Sequence, residues 1–274
     1  MACLAGLVLA AALAAAGAAT LERQSRDLDE SVQSVALRGR VHALVVLPAG
    51  YAGSSKRYPV VYFLHGLPAG SSAYRGSRWL ARALANAGPA ILVMPQGARD
   101  TDTDPEYLNW GAGRNWETFV SEELPRAIDR RFRTIAARDG RALVGLSAGG
   151  FGAALVGLEH LGTFSVLESW SGYFHPTDPT GTRPLALGPR TNVHRQIAVL
   201  RADERVRPTF VGFYVGRGDS RFRDENEQLD RELDAAGVPH RFAVYAGAHT
   251  TGLWQRHAVV WLRLALDHLS KPKA

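Results

Sequence analysis

Residues 142–150 read ALVGLSAGG, and this stretch decides the fold. A short apolar run leads into the pentapeptide Gly-Leu-Ser-Ala-Gly at 145–149, and FGAAL follows at 151–155. A strand that turns sharply at a serine into a helix holds the hydroxyl above the sheet, and the flanking glycines relieve the crowding between the two elements. We therefore predict that Ser147 is a nucleophile. The backbone N–H of Ala148, at the positive end of the helix, is a predicted oxyanion donor.

Strand and helix patterns alternate on both sides of this turn. The predicted strands are 32–37, 41–47, 58–64, 90–94, 142–145, 164–170, 210–215 and 241–245. The helical patterns occupy about 77–87, 116–131, 148–159, 222–236 and 253–269. The first two strands indicate an antiparallel hairpin. The alternation of the rest predicts an α/β fold with a mostly parallel central sheet and helices on both faces.

Two long segments rich in Gly, Pro, Asp and Thr, 95–115 and 173–190, interrupt this alternation. Long irregular loops in a compact domain are usually functional, so we expect both segments to form walls of a cleft. Four aromatic side chains in or near this region either line an acyl or aromatic pocket or pack in the core. The sequence leaves both possibilities open for Trp110, Trp116, Trp170 and Tyr173.

A serine hydroxyl becomes a good nucleophile only when a base removes its proton and an acid orients that base. In folds with this kind of serine turn, the acid follows the serine in the chain and the histidine follows the acid. Asp219 lies in the loop after a predicted strand, at the sheet edge where ligand chemistry gathers. The competing acids Asp224, Glu225 and Glu227 fall where the next helix begins, and the helix dipole favours acids there. We predict that Asp219 is the acid.

The base is predicted to be His249, which lies in a small-residue loop after the last strand. His257 and His268 fall within the predicted last helix, where surface or packing roles are expected. His240 precedes the last strand and therefore lies at the opposite end of the sheet. The remaining histidines come before the predicted acid in the chain, against the usual order.

A second oxyanion donor is expected from the loop HGLP at 65–68, which follows an apolar strand. The backbone N–H of Leu67 is the predicted donor, because Pro68 has no N–H. His65 itself lies at a strand end among apolar residues. We interpret it as a structural, hydrogen-bonding histidine rather than as the base.

These motifs together resemble the esterase family of α/β-hydrolases that groups esterase D, feruloyl esterases and mycolyltransferases. The resemblance covers residues 32–268 and is carried by YPVVYFLHG at 58–66, the turn at Ser147, GRGD at 216–219 and GAH at 247–249. It implies the α/β-hydrolase fold, with Ser147, Asp219 and His249 as the catalytic triad. It also implies that Leu67 and Ala148 supply the oxyanion hole.

Within that family, the segment NWETFVSEELP at 115–125 is most similar to the version in mycolyltransferases and their relatives. Two features differ from mycolyltransferases. They usually carry Asp-Gly-Leu-Arg where this chain has HGLP at 65–68, and they commonly use a Glu where this chain offers Asp219. The resemblance therefore favours a hydrolase and keeps an acyltransferase as the alternative.

The leading functional hypothesis is a serine carboxylic ester hydrolase that works through an acyl-enzyme. Its substrate would be a small-molecule, lipid or sugar ester. The alternative is an envelope acyltransferase that passes the acyl group to a sugar or glycolipid. A non-catalytic binding module would lack a triad member, whereas all three candidates are present here. A thioester hydrolase of the formylglutathione type also belongs to the family, but the N-terminal segment argues against a cytosolic enzyme.

Composition narrows the partners. The net charge is +6 and the isoelectric point about 9.8, yet no run of five or six like charges occurs. The arginines are scattered, often beside acids, which argues against nucleic-acid binding and leaves an association with anionic envelope surfaces possible. Cys3 is the single cysteine, so neither an internal disulfide nor a cysteine metal site can form. No metal or organic cofactor is expected, because the candidate acid and histidine already have triad roles and no His-x-x-x-His spacing occurs.

The first 19 residues are uncharged, rich in Ala and Leu, and end in the small residues AGAA at 16–19. This pattern predicts a signal peptide or membrane anchor at 1–19, followed by the esterase domain at 20–274. No Lys or Arg precedes the apolar run, which leaves open a misassigned start or the end of a truncated transmembrane helix. A buried N-terminal helix is a third alternative. We therefore expect a secreted or envelope-associated protein.

Overall fold

The computed structural model describes residues 26–99, 106–178, 183–204 and 208–274. The apolar segment at 1–19, with Cys3, lies outside these residues, so the signal or anchor segment stays a prediction. Within the described residues, no helix combines the length and the apolar character needed to cross a bilayer.

In the described part of the chain, one eight-stranded sheet has the order β1-β2-β4-β3-β5-β6-β7-β8. The strands are β1 (Arg26–Ser34), β2 (Gly39–Leu47), β3 (Val60–Leu64), β4 (Ile91–Pro95), β5 (Arg141–Leu146), β6 (Val166–Trp170), β7 (Phe210–Gly216) and β8 (Arg241–Tyr245). β2 pairs antiparallel with β1 and with β4, and every other neighbouring pair is parallel. The prediction of an α/β fold with a mostly parallel sheet is confirmed.

The predicted hairpin is present, but β1 begins at Arg26 rather than at residue 32. Its first half alternates exposed Asp27 and Asp29 with the partly buried Leu28. An edge strand with one solvated face tolerates such charges. Because these aspartates interrupt the apolar pattern, the sequence did not predict the first half of the strand. Residues 35–38, three of which were predicted as strand, form the turn into β2.

Helices cover both faces of the sheet. They are α1 (Leu80–Ala87), α2 (Trp116–Thr118), α3 (Leu124–Arg131), α4 (Ala148–Glu159), α5 (Ile197–Glu204), α6 (Arg223–Ala236) and α7 (Thr251–Asp267). A π-helical segment, Phe119–Glu123, joins α2 to α3, so the predicted helix at 116–131 is continuous. The helix predicted at 148–159 is confirmed as α4. Helix α5 was missed, because eight residues with a single apolar turn give little periodic signal.

The core lies on both sides of the sheet, and β3 shows why. All five of its residues are buried. Val60, Tyr62 and Leu64 face a cluster that includes residues of α4 and α6. Val61 and Phe63 face a second cluster that includes residues of α1 and α7. A strand covered on both faces needs apolar residues at every position, and this requirement produced the continuous apolar run in the sequence.

Parallel strands end at one edge of the sheet, so their C-terminal loops meet there. The loops after β3, β5, β7 and β8 carry His65, Ser147, Asp219 and His249 respectively. The fold therefore brings residues from four distant parts of the sequence to one place.

Candidate active site

Ser147 lies at the turn between β5 and α4 with φ 54° and ψ −123°. A non-glycine residue at positive φ is strained by roughly 1–3 kcal/mol and persists only where its surroundings hold it. Here its backbone N–H donates to the carbonyl of Trp170 at 2.9 Å. The flanking glycines avoid a steric clash, because a Cβ at Gly145 would lie 2.0 Å from the Gly149 carbonyl oxygen. The strained turn predicted from the pentapeptide is present.

His249 lies between Ser147 and Asp219. Its Nε2 is 2.9 Å from the Ser147 Oγ, and its Nδ1 is 2.6 Å from the Asp219 Oδ2. The Asp219 side chain is only 1% exposed. A buried carboxylate accepts a hydrogen bond but cannot donate one, so the imidazole proton lies on Nδ1 and Nε2 is free to accept the serine proton.

Backbone hydrogen bonds join the acid loop to the histidine loop. The N–H of Arg217 donates to the Tyr245 carbonyl at 2.7 Å, and the N–H of Gly218 donates to the Gly247 carbonyl at 2.7 Å. These bonds connect the two loops and help to hold the Asp219 carboxylate in place relative to the His249 imidazole.

The turn after β3 lies beside Ser147. A Cβ at Gly66 would be 2.8 Å from the Ser147 Cβ, so the two backbones are in close approach. Leu67 follows in this turn and is partly buried, and Ala148 is the fully buried first residue of α4. Ala148 thus directly follows Ser147 in the chain, and Leu67 directly follows the glycine that approaches Ser147; the role of both residues as donors is part of the proposal below.

His65 is buried, and its Nδ1 lies 2.9 Å from the Gly66 carbonyl oxygen. Burial lowers the pKa of His65, so its ring is neutral at neutral pH. The Tyr107 hydroxyl donates to the His65 carbonyl at 3.0 Å. These contacts agree with a structural role in holding the turn.

Glu225, one of the competing acids, holds a loop instead. It is largely buried, accepts the Phe174 N–H at 2.9 Å, and pairs with His175 and His194. Burial opposes ionisation of this carboxyl, but the hydrogen bonds from the two histidines outweigh it, so the pKa of Glu225 is lowered. The sequence interpretation of Glu225 as a first-turn charge was therefore incomplete. Its carboxylate fastens the segment after β6 to α6.

The structure distinguishes among the four aromatic residues for which the sequence left pocket lining and core packing both open. Trp116 and Trp170 are fully buried and pack in the core. Tyr173 is buried as well and stacks on Phe151, with ring centroids 5.2 Å apart. Trp110 is partly buried. None of the first three is positioned as an open pocket wall.

Two aromatic residues that the sequence analysis did not select contact the His249 ring. The ring of Phe222 lies 5.2 Å from the His249 ring, and the ring of Trp254 lies 5.1 Å from it. The only signal in the sequence is that each lies a few residues after a predicted site residue: Phe222 follows Asp219, and Trp254 follows His249 in the first turns of α7. Among the described residues, no group of three or more His, Cys, Asp or Glu side chains is arranged to hold a metal ion.

A family model described as "Putative esterase" matches residues 34–260. The chain belongs to this esterase family. The resemblance read from the motifs is thereby confirmed.

Among the relatives, Esterase Rv1288 of Mycobacterium tuberculosis (strain ATCC 25618 / H37Rv) is 38% identical over 129 residues, which are 47% of this chain and 28% of that protein. The dipeptidyl-peptidase 5 of Aspergillus fumigatus (strain CBS 144.89 / FGSC A1163 / CEA10) is 28% identical over 84% of this chain and 34% of its own length. The chain thus spans about a third or less of these curated relatives.

Among solved structures, a ferulic acid esterase superposes with a TM-score of 0.72 at 24% identity, covering 90% of this chain and 99% of the other. At this identity the likeness establishes the fold alone. Together with the sheet order, it confirms the α/β-hydrolase fold.

Proposed function

We propose that this member of the esterase family is a serine carboxylic ester hydrolase with Ser147, His249 and Asp219 as its catalytic triad. The observation that carries the proposal is the single imidazole that reaches the Ser147 hydroxyl at 2.9 Å on one side and the buried Asp219 carboxylate at 2.6 Å on the other. This is the geometry of an activated nucleophile, its base and the group that orients the base.

In the first half of the reaction, the Ser147 Oγ attacks the ester carbonyl carbon while its proton passes to the His249 Nε2. The carbonyl oxygen becomes an oxyanion, stabilised by the backbone N–H groups of Leu67 and Ala148. Each such donor contributes on the order of 3 kcal/mol to lowering the barrier. Collapse of the intermediate breaks the bond to the alcohol, which leaves with the proton from His249.

In the second half, water attacks the acyl-enzyme carbonyl and gives its proton to His249. Collapse of this second oxyanion releases the carboxylic acid and returns the proton to Ser147. Asp219 stays ionised throughout and stabilises the imidazolium that forms in each half.

Covalent labelling tests the nucleophile. A related structure, with a TM-score of 0.73 and 18% identity over 87% of this chain and 98% of its own, is a Staphylococcus aureus fluorophosphonate-binding serine hydrolase. We expect a fluorophosphonate probe to label this protein, and Ser147→Ala to abolish both labelling and hydrolysis of 4-nitrophenyl esters. Ser220→Ala is the matched control, because Ser220 is an exposed serine next to the proposed acid. Labelling that persists in Ser147→Ala would refute the assignment.

The second candidate is transfer of the acyl group to a sugar or glycolipid. The segment at 115–125, which is most similar to its counterpart in mycolyltransferases, favours this alternative. Both candidates share the acyl-enzyme and differ in whether water or a hydroxyl accepts the acyl group. Product analysis with and without trehalose separates them: an acylated sugar supports transfer, and free acid alone supports hydrolysis.

The acyl preference is measured with a series of 4-nitrophenyl esters of increasing chain length, together with methyl ferulate. The domain division is also part of the proposal, with a leader or anchor at 1–19 and the catalytic domain at 20–274. N-terminal sequencing of the protein recovered from outside the cytoplasm of a bacterial host tests that division.

A further inference from the structure

The end of β6 contacts both sides of the proposed Ser147–His249 pair. The carbonyl of Trp170, the last residue of β6, accepts the Ser147 N–H at 2.9 Å. The next residue, Ser171, accepts through its Oγ a hydrogen bond from the indole N–H of Trp254 at 3.1 Å. Two consecutive residues thus hold the nucleophile and an aromatic side chain of α7.

That aromatic side chain in turn lies against the base. The Trp254 and His249 rings are perpendicular, with centroids 5.1 Å apart. Phe222, from the loop before α6, makes a second edge contact with the same imidazole at 5.2 Å. Aromatic rings prefer edge-to-face contacts at such separations, so the two neighbours restrict the rotation of the imidazole.

Ser171 is an unusual residue for its backbone conformation. Its φ is 50°, in the left-handed region that favours glycine, and its side chain is fully buried. Its N–H donates to the Tyr214 carbonyl at 2.7 Å, which fixes the strained residue against β7. Glycine would adopt this conformation at lower cost. The Ser171 hydroxyl makes a contact that glycine could not make, the hydrogen bond from the Trp254 indole at 3.1 Å.

We propose that Ser171 and Trp254 are positioning residues that hold the His249 imidazole at the right place relative to Ser147. The nucleophile and the base then share one support, the end of β6. A small shift of the imidazole would lengthen the 2.9 Å contact on which proton transfer depends. This inference rests on the proposed triad.

The test uses the full chain with substitutions that remove the hydrogen bond from either end. Trp254→Phe keeps an aromatic ring beside His249 but removes the N–H donor, and Ser171→Ala removes the acceptor. We expect each to lower kcat for a small 4-nitrophenyl acetate substrate by about tenfold with KM nearly unchanged. The kcat of the double variant should be no more than about twofold below that of the less active single variant, because both substitutions break the same hydrogen bond.

Trp261→Phe is the matched control. Trp261 lies on the same helix, and its indole N–H also donates to a hydroxyl, that of Tyr245, at 3.2 Å, but it does not contact His249. If Trp261→Phe loses about as much stability as Trp254→Phe but keeps the parent's kcat, the positioning role of Trp254 is supported. Ser171→Gly provides a second route should the alanine variant fold poorly. It removes the hydroxyl and relieves the backbone strain, so kcat should fall while the melting temperature holds.

Three results would overturn the inference. The Ser171 side chain is fully buried, so its predicted effect on kcat is indirect, and unchanged kcat in both Ser171 variants refutes the inference. A Trp254→Phe effect confined to KM, or one that varies with the acyl chain, assigns Trp254 to substrate binding instead. If the kcat losses of the two single variants add in the double variant, Ser171 and Trp254 act independently and not through one hydrogen bond. Failure of the triad itself is recognised independently, because Ser147→Ala would then retain fluorophosphonate labelling.

Discussion

Gly149→Ala tests whether the close approach of α4 and β3 sets the position of the nucleophile. A Cβ at Gly149 would lie 2.1 Å from the Leu64 carbonyl oxygen and 2.7 Å from the His65 carbonyl oxygen. Unstrained contacts between such atoms begin near 3.4 Å, so the helix and the strand must separate by about 1 Å or more. The obstructing atoms are backbone, and no side-chain rotation relieves the overlap.

The size of the effect follows from that displacement. Overpacking costs about 1–3 kcal/mol where side chains can yield, so we take roughly 3 kcal/mol for this backbone clash. In a domain of this size each kcal/mol lowers the melting temperature by about 2–4 °C, which gives a drop of about 6–12 °C. A shift of about 1 Å at Ser147 also takes its Oγ out of hydrogen-bond range of the base, so kcat/KM should fall about 100-fold.

The assays are thermal unfolding followed by circular dichroism and hydrolysis of a 4-nitrophenyl ester below the melting temperature. Gly53→Ala is the matched control, because a Cβ there meets no atom within 4 Å. Its melting temperature and kcat/KM should match those of the parent. A Gly149→Ala variant as stable and as active as Gly53→Ala would refute the reasoning, since the sheet edge would then tolerate the movement that the geometry forbids.

Three further predictions concern charged groups. Asp219→Asn should lower kcat by about 10³–10⁴-fold with little change in KM, measured by steady-state kinetics, because an amide no longer fixes the proton on Nδ1 of the base. His194 lies between Glu225 and Glu232; burial opposes its charge, but both carboxylates outweigh burial and raise the pKa of His194. The resulting stabilisation is complete below the unfolded-state pKa of about 6.5 and is lost as pH rises through the higher folded-state pKa. The difference in melting temperature between the parent and His194→Gln should therefore narrow from pH 6 to pH 9. Burial raises the pKa of Glu168 well above its usual range. The parent should therefore lose stability relative to Glu168→Gln as pH rises above about 4.5, and equal dependence of the two melting temperatures on pH would contradict this.

Much of the fold follows from the sequence because its signals are local. The run at 58–64 is apolar at every position, since β3 is covered on both faces, and it could be assigned without any knowledge of its partners. The turn at Ser147 is equally local, because two glycines and a serine between a strand and a helix are needed wherever this geometry occurs. Asp219 and His249 could be selected because each follows a recognisable strand in the expected order.

The remainder depends on contacts between distant residues. Glu225 sits in the first turn of a helix, and nothing near it in the sequence indicates that His175 and His194 approach it from another segment. Trp254 and Ser171 are separated by 83 residues, so their hydrogen bond has no local signature. Propensity and periodicity describe how a segment folds. They do not describe which side chains meet once the segments have packed.

The way the loops are attached has a consequence for specificity. The proposed triad residues lie in loops at one edge of the sheet, and backbone hydrogen bonds join the loops that carry Asp219 and His249. The two segments that the sequence predicts as cleft walls have attachments of their own: Arg99 donates to the carbonyls of Leu37 at 2.8 Å and Gly113 at 2.7 Å, and Glu225 accepts the Phe174 N–H at 2.9 Å. Under the proposed function, we expect substitutions in the described parts of these segments to change which acceptor reaches the acyl-enzyme, and product analysis with and without trehalose measures that choice.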